Sequence, residues 1–485
     1  MACEWHSAPL GELISYIGKG VAPKYINDGP DATMVLGQKC VRNQALQYEQ
    51  ARFHNSAEKA VNPDKEVRKG DILVNATGVG SAGRVAQVMA DPSRQCITDG
   101  HVITLRAKDI NPFYLGYFVK SKQNTIELMA EGSTGQTEMN RQRLQNEIIV
   151  TFPESKDLQK RIAEYGLAID KKIAVNNQLN DYLFELVSSV FAHRFSDNVN
   201  TTELKNVLSI STKALKPQEH ADEIWEHYSI PAFDEKHRPI FEPASGIKSN
   251  KYQIDSECIL ISKLNPSTKR IWMPCCSSNN AVCSTEFIVY RPYLKEYKSF
   301  YYAAIDSPRF TDYLLEHVSG STGSRQRAQP KDTLNYLMPN PDNEEIKDFC
   351  IFADPIYRHI QINEQQTAKL ELLRETLLPK LMSGTIDVSK VDLTQLTNNH
   401  LAGRMHWSNV IRVRAIHAVH SQQSQIPAYE SVPKVSHSPC RTALTLGGIA
   451  PLLSWLAVSQ FTAQSFAMLV VFCQVVLCGV SSELS

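Results

Sequence analysis

One long amphipathic segment decides the fold of this 485-residue chain. Between residues 158 and 190 it reads LQKRIAEYGLAIDKKIAVNNQLNDYLFELVSSV. Its seam positions alternate at spacings of four and three residues, a pattern typical of a helix that packs lengthwise on another helix. A helix of about forty residues is close to 60 Å long at about 1.5 Å per residue, so it requires a partner of similar length. The predicted seam consists of Leu158, Ile162, Tyr165, Ile169, Lys172, Asn176, Leu179, Leu183, Leu186 and Val190.

A second segment with the same spacing follows about 187 residues later. Both seams carry an asparagine at the same position, Asn176 and Asn363. A polar seam residue often determines the register of paired helices, so we predict that these asparagines meet where helices near 157–194 and 344–382 pair antiparallel. The alternative is that each helix packs only on its own domain. The second seam consists of Glu345, Phe349, Phe352, Ile356, His359, Asn363, Gln366, Leu370, Leu373 and Leu377.

The segments that precede the two helices repeat as well. Gly132-Ser-Thr-Gly135 matches Gly320-Ser-Thr-Gly323, and the β-type run Asp71-Ile-Leu-Val74 aligns with Cys258-Ile-Leu-Ile261. The predicted fold class is α+β, with two β-rich domains separated by two long antiparallel coiled-coil helices in a pseudo-two-fold repeat. The predicted segments are a first domain at 1–153, a first helix at 154–198, a second domain at 199–341, a second helix at 342–390 and an atypical tail at 391–485.

Composition excludes several classes of protein. Hydrophobic residues make up 42% of the chain and charged residues 21%, which is typical of globular domains and not of disordered or fibrous chains. Lys+Arg and Asp+Glu both number 51, so any binding of nucleic acid must be local or shared with a partner. The 11 cysteines show no regular pairing, and the N-terminus lacks a signal-peptide pattern. We therefore expect a cytoplasmic protein.

The tail from residue 391 is a different kind of sequence. It carries five basic and three acidic residues, and residues 444–480 are mostly apolar. We interpret it as a poorly ordered, non-native extension, such as translation past an altered stop would produce. A membrane anchor is the alternative, because about twenty apolar residues span a bilayer.

A set of short motifs is the most specific feature of residues 1–390. The second long helix ends in Leu377-Leu-Pro-Lys-Leu-Met-Ser-Gly384 followed by Thr385-Ile-Asp-Val388. The supporting motifs are Lys69-Gly-Asp-Ile-Leu73, Lys171-Lys-Ile173, Asn176-Asn-Gln178, Phe184-Glu-Leu186 and Ile362-Asn-Glu-Gln365. In combination these motifs resemble the specificity subunit of type I restriction-modification systems, whose second helix habitually ends in a similar sequence.

The resemblance implies a function without catalysis. Members of that family read a bipartite site in double-stranded DNA, each recognition domain reading one part, while the helices set the spacing. They dock two methyltransferase subunits, which restriction subunits then join. The resemblance thus implies a subunit that is not an enzyme and carries no cofactor or metal of its own.

Three segments imitate catalytic or metal-binding motifs. Gly78-Val-Gly-Ser-Ala-Gly83 is a literal G-x-G-x-x-G, but a second β-type run follows it where a phosphate-binding helix should begin, so we interpret it as a hairpin turn. Asn111-Pro-Phe-Tyr114 is similar to a base-flipping methyltransferase motif, yet Asn and Pro also open a helix. Cys275, Cys276 and Cys283 lack zinc-ligand spacing, so free thiols are expected.

Candidate DNA contacts come from loops with Arg, Lys, Ser, Thr and Gln, the residue types that bind phosphates and base edges. The first domain offers Thr77, Arg84, Ser133, Thr134, Gln136, Arg141 and Arg143. The second domain offers Lys263, Lys269, Arg270, Ser321, Thr322, Arg325 and Arg327.

Two other functions remain as alternatives. A single-chain S-adenosylmethionine-dependent DNA methyltransferase requires the segments at 78–83 and 111–114 to form one site. A coiled-coil scaffold without DNA binding leaves the two β-rich domains unexplained. If the helices act as a ruler, inserting residues at 195–201 is expected to change the gap between half-sites and leave their bases unchanged.

Overall fold

The computed structural model describes residues 4–30, 32–131, 138–319 and 326–388. All of them belong to one compact unit. The tail from residue 391, with the expectations about it, lies outside the described residues. The described helices are α1 Pro112–Ser121, α2 Gln123–Leu128, α3 Arg141–Glu147, α4 Lys156–Phe195, α5 Ile230–Lys236, α6 Lys298–Asp306, α7 Pro308–Glu316, α8 Pro330–Thr333 and α9 Asn343–Met382.

The strands fall into two groups of similar order. Before α4 lie β1 Trp5–Pro9, β2 Ile14–Lys19, β3 Tyr25–Ile26, β4 Ala32–Leu36, β5 Val41–Arg42, β6 Ala45–Leu46, β7 Arg52–Asn55, β8 Ile72–Asn75, β9 Val85–Gln87, β10 Cys96–Thr98, β11 Val102–Ala107, β12 Ala130–Glu131, β13 Glu138–Met139 and β14 Ile149–Pro153. After α4 lie β15 Thr201–Glu203, β16 Leu208–Ser211, β17 Ala214–Leu215, β18 Ile224–Tyr228, β19 Ile240–Pro243, β20 Lys251–Gln253, β21 Ile259–Ser262, β22 Ile271–Trp272, β23 Ala281–Ser284, β24 Phe287–Pro292, β25 Val318–Ser319, β26 Arg327–Ala328 and β27 Leu337–Pro339.

Each domain packs two sheets, and the sheets correspond between the domains. The order β2-β11-β8-β9 in the first domain matches β16-β24-β21-β22 in the second. In the other sheet of the first domain, the order is β10-β4-β7-β3. Its first three strands correspond to β23-β18-β19, the last three strands of the five-stranded sheet in the second domain. In both, the first two strands of the shared part are parallel and the third is antiparallel. The predicted α+β fold with an internal repeat is confirmed.

The central strand of each domain is buried on both faces, which explains its uninterrupted apolar sequence. In β8, Ile72 and Val74 face the core that contains the long helices, while Leu73 faces the core on the other side of the sheet. In β21, Ile259 and Ile261 likewise face the helices, and Leu260 faces the opposite core. Side chains alternate along a strand, so only a run of consecutive apolar residues suits such a position.

The two long helices are 40 residues each and run antiparallel. Ser155 caps α4 by accepting a hydrogen bond from the backbone N–H of Leu158, and Asp342 caps α9 through the N–H of Glu345. The pairing of Asp170 with Arg374 and of Asn180 with Asn363 establishes the direction, because the residue number falls on one helix as it rises on the other. In the described residues no helix is both long and apolar enough to cross a membrane.

Each long helix contributes to the cores of both domains. The start of α4, with Ile162, belongs to the first core, and its end, with Phe195, belongs to the second. Helix α9 does the reverse, because Phe349 lies in the second core and Met382 in the first. The predicted division of the chain into five segments therefore stays a prediction, and neither described domain completes its core without residues from the other half of the chain.

The predicted heptad seam is only partly correct. The C-terminal half of α4 buries Leu183, Val187, Phe191 and Phe195 instead of continuing through Leu186 and Val190. Glu345 in the predicted second seam is exposed. The physical reason is that a straight helix has 3.6 residues per turn and drifts by about 20° per heptad from a 3.5-residue repeat. Toward its ends each helix therefore turns its apolar stripe into the domain cores as well as toward the partner helix.

Candidate nucleic-acid interface

The G-x-G-x-x-G segment forms the turn between β8 and β9. Gly78 has φ of 108° and Gly83 has φ of 86°, values that side chains strongly disfavour. A Cβ atom on Gly83 would lie 2.6 Å from the Cα atom of Glu127, so packing against α2 also requires glycine. β9 follows the turn and pairs antiparallel with β8. The interpretation as a hairpin turn is confirmed.

Thr77 stands in this turn beside two polar side chains from distant parts of the chain. Its hydroxyl accepts a hydrogen bond from the side-chain amide of Gln38, 39 positions away in sequence. The same hydroxyl lies 2.9 Å from Nδ1 of His101. Sequence reasoning missed both partners, because nothing in the spacing of these residues indicates that they meet.

The turn also pairs with the strand that follows the Gly-Ser-Thr-Gly sequence. Thr77 forms an isolated antiparallel bridge with Glu138, the first described residue after that sequence. Lys19 makes an ion pair with Glu138, and this contact holds the pKa of the Glu138 carboxyl below its usual value. Ser133, Thr134 and Gln136 themselves lie outside the described residues.

The second domain repeats this arrangement with other residues. Leu264 forms an isolated antiparallel bridge with Arg327, and the N–H of Asn265 donates to the carbonyl of Gln326 at 2.9 Å. Asn265 has φ of 49°, so it takes the left-handed conformation in the turn where the first domain uses Gly78. The turn at 263–270 thus lies beside β26, while Ser321, Thr322 and Arg325 lie outside the described residues.

The basic candidates for DNA contact differ in whether they already form an ion pair with a carboxylate of the protein. Arg143 binds both carboxylate oxygens of Glu147, at 2.7 and 2.9 Å. In the second domain Arg270 binds both oxygens of Asp234 at 2.6 and 2.9 Å, Lys269 lies 2.6 Å from Asp306, and Arg327 lies 3.1 Å from Glu286. Among the described residues, no ion pair is recorded for the side chains of Arg84, Arg141 and Lys263.

Burial also separates these candidates. The Arg270 side chain is only 11% exposed and holds α5 against β22, so its role within the described chain is structural. Arg141 is exposed at the first position of α3, next to the end of the Gly-Ser-Thr-Gly loop. Arg141 is therefore the candidate whose charge is most available to a ligand in the first domain.

The remaining imitation motifs have local structural roles. The side-chain oxygen of Asn111 accepts hydrogen bonds from the N–H groups of Phe113 and Tyr114, both at 3.0 Å, so the helix-cap interpretation is confirmed. Cys275, Cys276 and Cys283 are free thiols, as expected. Burial raises the pKa of Cys275 to about 12, which keeps this thiol protonated at neutral pH.

One group of side chains has the composition of a metal site. Glu4, His6 and Glu154 place ligand atoms within 4.8 Å of one another on the surface of the described chain. All three residues are exposed. Exposed carboxylates commonly approach one another without an ion, so we assign no metal site here.

The two seam asparagines do not bond to each other, contrary to the prediction. The side-chain amide of Asn363 donates to Oδ1 of Asn180 at 2.8 Å. The amide of Asn176 donates to Gln366 at 2.9 Å and to Thr367 at 3.4 Å. Positions 180 and 367 are equivalent in the repeat, so the two contacts are related by the pseudo-two-fold axis.

Antiparallel geometry explains this correction. With residue 176 opposite 367 and residue 180 opposite 363, the midpoint of the pairing falls at positions 178 and 365. Equivalent residues oppose each other only at that midpoint. Asn176 and Asn363 lie on opposite sides of it, about one helical turn apart, so each reaches the residue one turn along the other helix.

A hairpin turn bridged to a short strand, repeated on two domains that share one pair of helices, defines the class of this protein: a two-module α+β protein with a pseudo-two-fold axis. Residues 4–183 match the family described as the type I restriction modification DNA specificity domain. This match covers the first copy of the repeat and confirms the resemblance drawn from the sequence. No protein of curated function shows significant sequence similarity to the chain.

Solved structures that resemble the chain are distant. A type I restriction-modification S subunit from M. genitalium shares 18% identity with a TM-score of 0.46, over 78% of this chain and 96% of that chain. A chain from a study of assembly and conformational transition of a type I system shares 15% identity with a TM-score of 0.37, over 80% and 100% of the two chains. The HsdS subunit from Thermoanaerobacter tengcongensis shares 14% with a TM-score of 0.30, over 79% and 97%.

Proposed function

We propose that this protein is the DNA-recognition subunit of a type I restriction-modification complex. It reads a bipartite target in double-stranded DNA, one half-site with each domain, and it does no catalysis itself. The observation that carries the proposal is the repeated contact between a β-hairpin turn and the strand that follows the Gly-Ser-Thr-Gly sequence, made by Thr77 with Glu138 in the first domain and by Leu264 with Arg327 in the second. Two separate recognition surfaces at a fixed separation suit a ligand with two separated elements, as bipartite DNA sites are.

The partners follow from the family and from the charge of the chain. Two methyltransferase subunits dock on the helices and domains, and restriction subunits join that complex. Because the chain has equal numbers of basic and acidic residues, 51 of each, phosphate contacts supplied by partners are needed for tight DNA binding. Such a complex acts on chromosomal and invading DNA, which places it in the cytoplasm.

The test is reconstitution followed by mapping of methylated sites. The full chain is coexpressed with a type I methyltransferase subunit, and the genomic DNA of the host is sequenced for methylated bases. The expected result is methylation at one two-part sequence with a constant gap. A complex that methylates without sequence preference, or no complex at all, would overturn the proposal.

The methyltransferase alternative has its own test. It requires the turn at 78–83 and the segment at 111–114 to bind S-adenosylmethionine. Calorimetric titration of the purified chain with S-adenosylmethionine is expected to show no binding, since the first segment is a hairpin and Asn111 is occupied as a helix cap. Stoichiometric binding would favour the enzyme.

A further inference from the structure

The end of helix α5 in the second domain is clamped onto α9. His237 has φ of 50°, and this left-handed residue turns the chain so that three consecutive side chains reach α9. Lys236 lies 3.1 Å from a carboxylate oxygen of Glu371, and Arg238 makes an ion pair with the same oxygen. Nδ1 of His237 lies 3.0 Å from Glu364. The Glu371 side chain is only 16% exposed, so its two cationic partners are needed to compensate its burial.

The first domain reaches the same place through its β5–β6 hairpin. Both residues at the tip, Asn43 and Gln44, have positive φ, 52° and 59°, as a tight two-residue hairpin turn requires. The side-chain amide of Asn43 donates to the carbonyl of Glu235 at 2.7 Å. This contact joins the first domain directly to the second, which the sequence-based picture of two domains held apart did not include.

Buried charges beside the hairpin reach the helix that carries the clamp. The side-chain amide of Gln44 donates to the carbonyl of Lys120 at 3.4 Å. The Lys120 side chain is 3% exposed and lies 3.5 Å from Asp170 of α4, to which Tyr117 also donates at 2.7 Å. Arg374 of α9 donates to the other oxygen of Asp170 at 2.6 Å. Polar contacts of the first domain thus end on α9 one turn away from Glu371.

The equivalent place across the pseudo-two-fold axis has no such contacts. Subtracting or adding 187 positions replaces Asp170 by Tyr357, Arg374 by Val187 and Glu371 by Phe184. Phe184 and Tyr357 pack with ring centroids 6.2 Å apart, and Val187 is fully buried. Helix pairing alone therefore does not require the polar set, because the repeat achieves the same pairing with apolar side chains.

We propose that Asn43, Lys236, Arg238 and Glu371 form an interdomain bridge that fixes the angle between the two recognition domains and so restricts the gap lengths that the protein accepts between half-sites. These are positioning residues, since they act on the domains and touch no base. The inference rests on the proposed function. The long helices set the separation, and the bridge limits how far the domains tilt about them.

The main test compares gap preference in three full-length variants in complex with the methyltransferase subunit. Asn43→Gly with Glu371→Gln removes the amide and the charge while keeping the positive φ and the shape of the side chain. The expected result is that gaps one base pair longer or shorter gain methylation by about tenfold relative to the native gap, equivalent to about 1.4 kcal/mol, while the half-site bases stay the same. The single variant Glu371→Asp keeps the charge and is expected to prefer the native gap more strongly than the double variant does.

The matched control is Glu344→Gln, which removes an exposed charge from the same helix, 82% exposed and paired with Lys347. It is expected to leave gap preference unchanged. A double variant with wild-type gap preference, whether or not its thermal stability falls, would overturn the bridge. So would a change in the bases read.

A second measurement separates this inference from the proposed function. Fluorophores on non-natural amino acids at the exposed positions Glu58 and Lys248 report the distance between the domains in single free molecules. The double variant is expected to broaden the distance distribution, and an unchanged distribution contradicts the bridge. If the wild-type complex shows no two-part methylation site, the proposed function fails, and the fluorescence result still decides whether the bridge holds the domains.

Discussion

Arg141 and Arg143 are two positions apart on one short helix, yet the structure gives them different surroundings. Arg143 is bound to Glu147 on the next turn, whereas Arg141 is exposed with no recorded ion pair in the described chain. An arginine already paired in a bidentate contact must break that contact before it can bind a phosphate or a guanine. Residue type alone cannot make this distinction, which depends on the neighbour four positions away.

For this reason we expect Arg141→Ala to weaken DNA binding more than Arg143→Ala. If Arg141 contacts a base, its loss should cost about 1–3 kcal/mol and relax one position of one half-site; if it contacts a phosphate, the salt slope of log K should fall by about one. Titrations of the complex at several salt concentrations, with methylation mapping, provide the measurement. Relaxation of both half-sites would contradict the two-module reading.

At the scale of elements, the middle of the helix pair is polar. Asn180 and Asn363 are buried and bonded to each other, with the amide of Asn180 also donating to the carbonyl of Ile360 at 3.3 Å. Such contacts specify register more than they stabilise, because each amide loses its hydration on burial.

The second substitution of this pair is expected to offset most of the stability that the first one loses. Asn363→Leu should lower the free energy of unfolding by about 1–3 kcal/mol, since it leaves the buried oxygen of Asn180 without its donor. Asn180→Leu together with Asn363→Leu should recover most of that loss and broaden the accepted gaps. Urea unfolding and methylation mapping check the two parts. A double variant less stable than the single one would refute this account.

The buried contact between Asp170 and Arg374 should make the stability of the fold depend on pH. Burial raises the pKa of Asp170, but the charges of Lys120 and Arg374 outweigh it and leave the pKa below the ordinary value of 3.8. Since the folded-state pKa is depressed, the stabilisation is complete above about pH 4 and is lost as the pH falls through the folded-state value. Acid should therefore weaken the attachment of α9 to α4 and the first domain.

Arg374→Met is expected to lower stability at pH 7 by about 3–5 kcal/mol, because it leaves Asp170 with one cationic partner fewer in a buried site. It should also move the acid unfolding midpoint to higher pH, since the pKa of Asp170 rises. Denaturant unfolding between pH 3 and 7 measures both effects. The control Arg143→Met removes an exposed pair on α3 and should cost less than about 1 kcal/mol.

At the scale of the whole molecule, each long helix has one end in each domain core. This changes how the role of the helices in setting the gap between half-sites should be tested. Phe191 and Phe195 at the end of α4 pack against Phe300 and Phe349 with centroid distances between 5.2 and 5.7 Å. This aromatic cluster holds the helix end inside the second domain. Residues inserted at 195–201 therefore lengthen a connecting loop and leave the helices in place.

We accordingly expect insertion at 195–201 to leave the gap unchanged, in contrast to the expectation from sequence. Four residues inserted into the middle of both helices, next to positions 178 and 365, should lengthen the pair by about 6 Å, and so move the preferred gap by one or two base pairs at about 3.4 Å each. Methylation mapping of the two insertion variants gives the comparison. A shifted gap in the first variant would restore the original interpretation.

The sequence by itself determined the repeat, the class of fold and the length of the helices. These features rest on local patterns: the β-type runs around Asp71 and Cys258, the four-three spacing that includes Asn176 and Asn363, and the capping residues of the helices. Periodicity predicts the type of an element and how far it extends. Both predictions hold in the structure because they depend on near neighbours in the chain.

Only the tertiary structure decided which residues meet. The partners of Thr77, the ion pairs that occupy Lys269 and Arg270, the true partner of Asn363 and the contact of Asn43 with the second domain all join positions from different elements. Each depends on the angle at which two elements cross and on where their ends lie. A linear pattern with period 3.5 contains neither quantity, and the drift of a real helix away from that period moved the buried stripe from Val190 to Phe191 and Phe195.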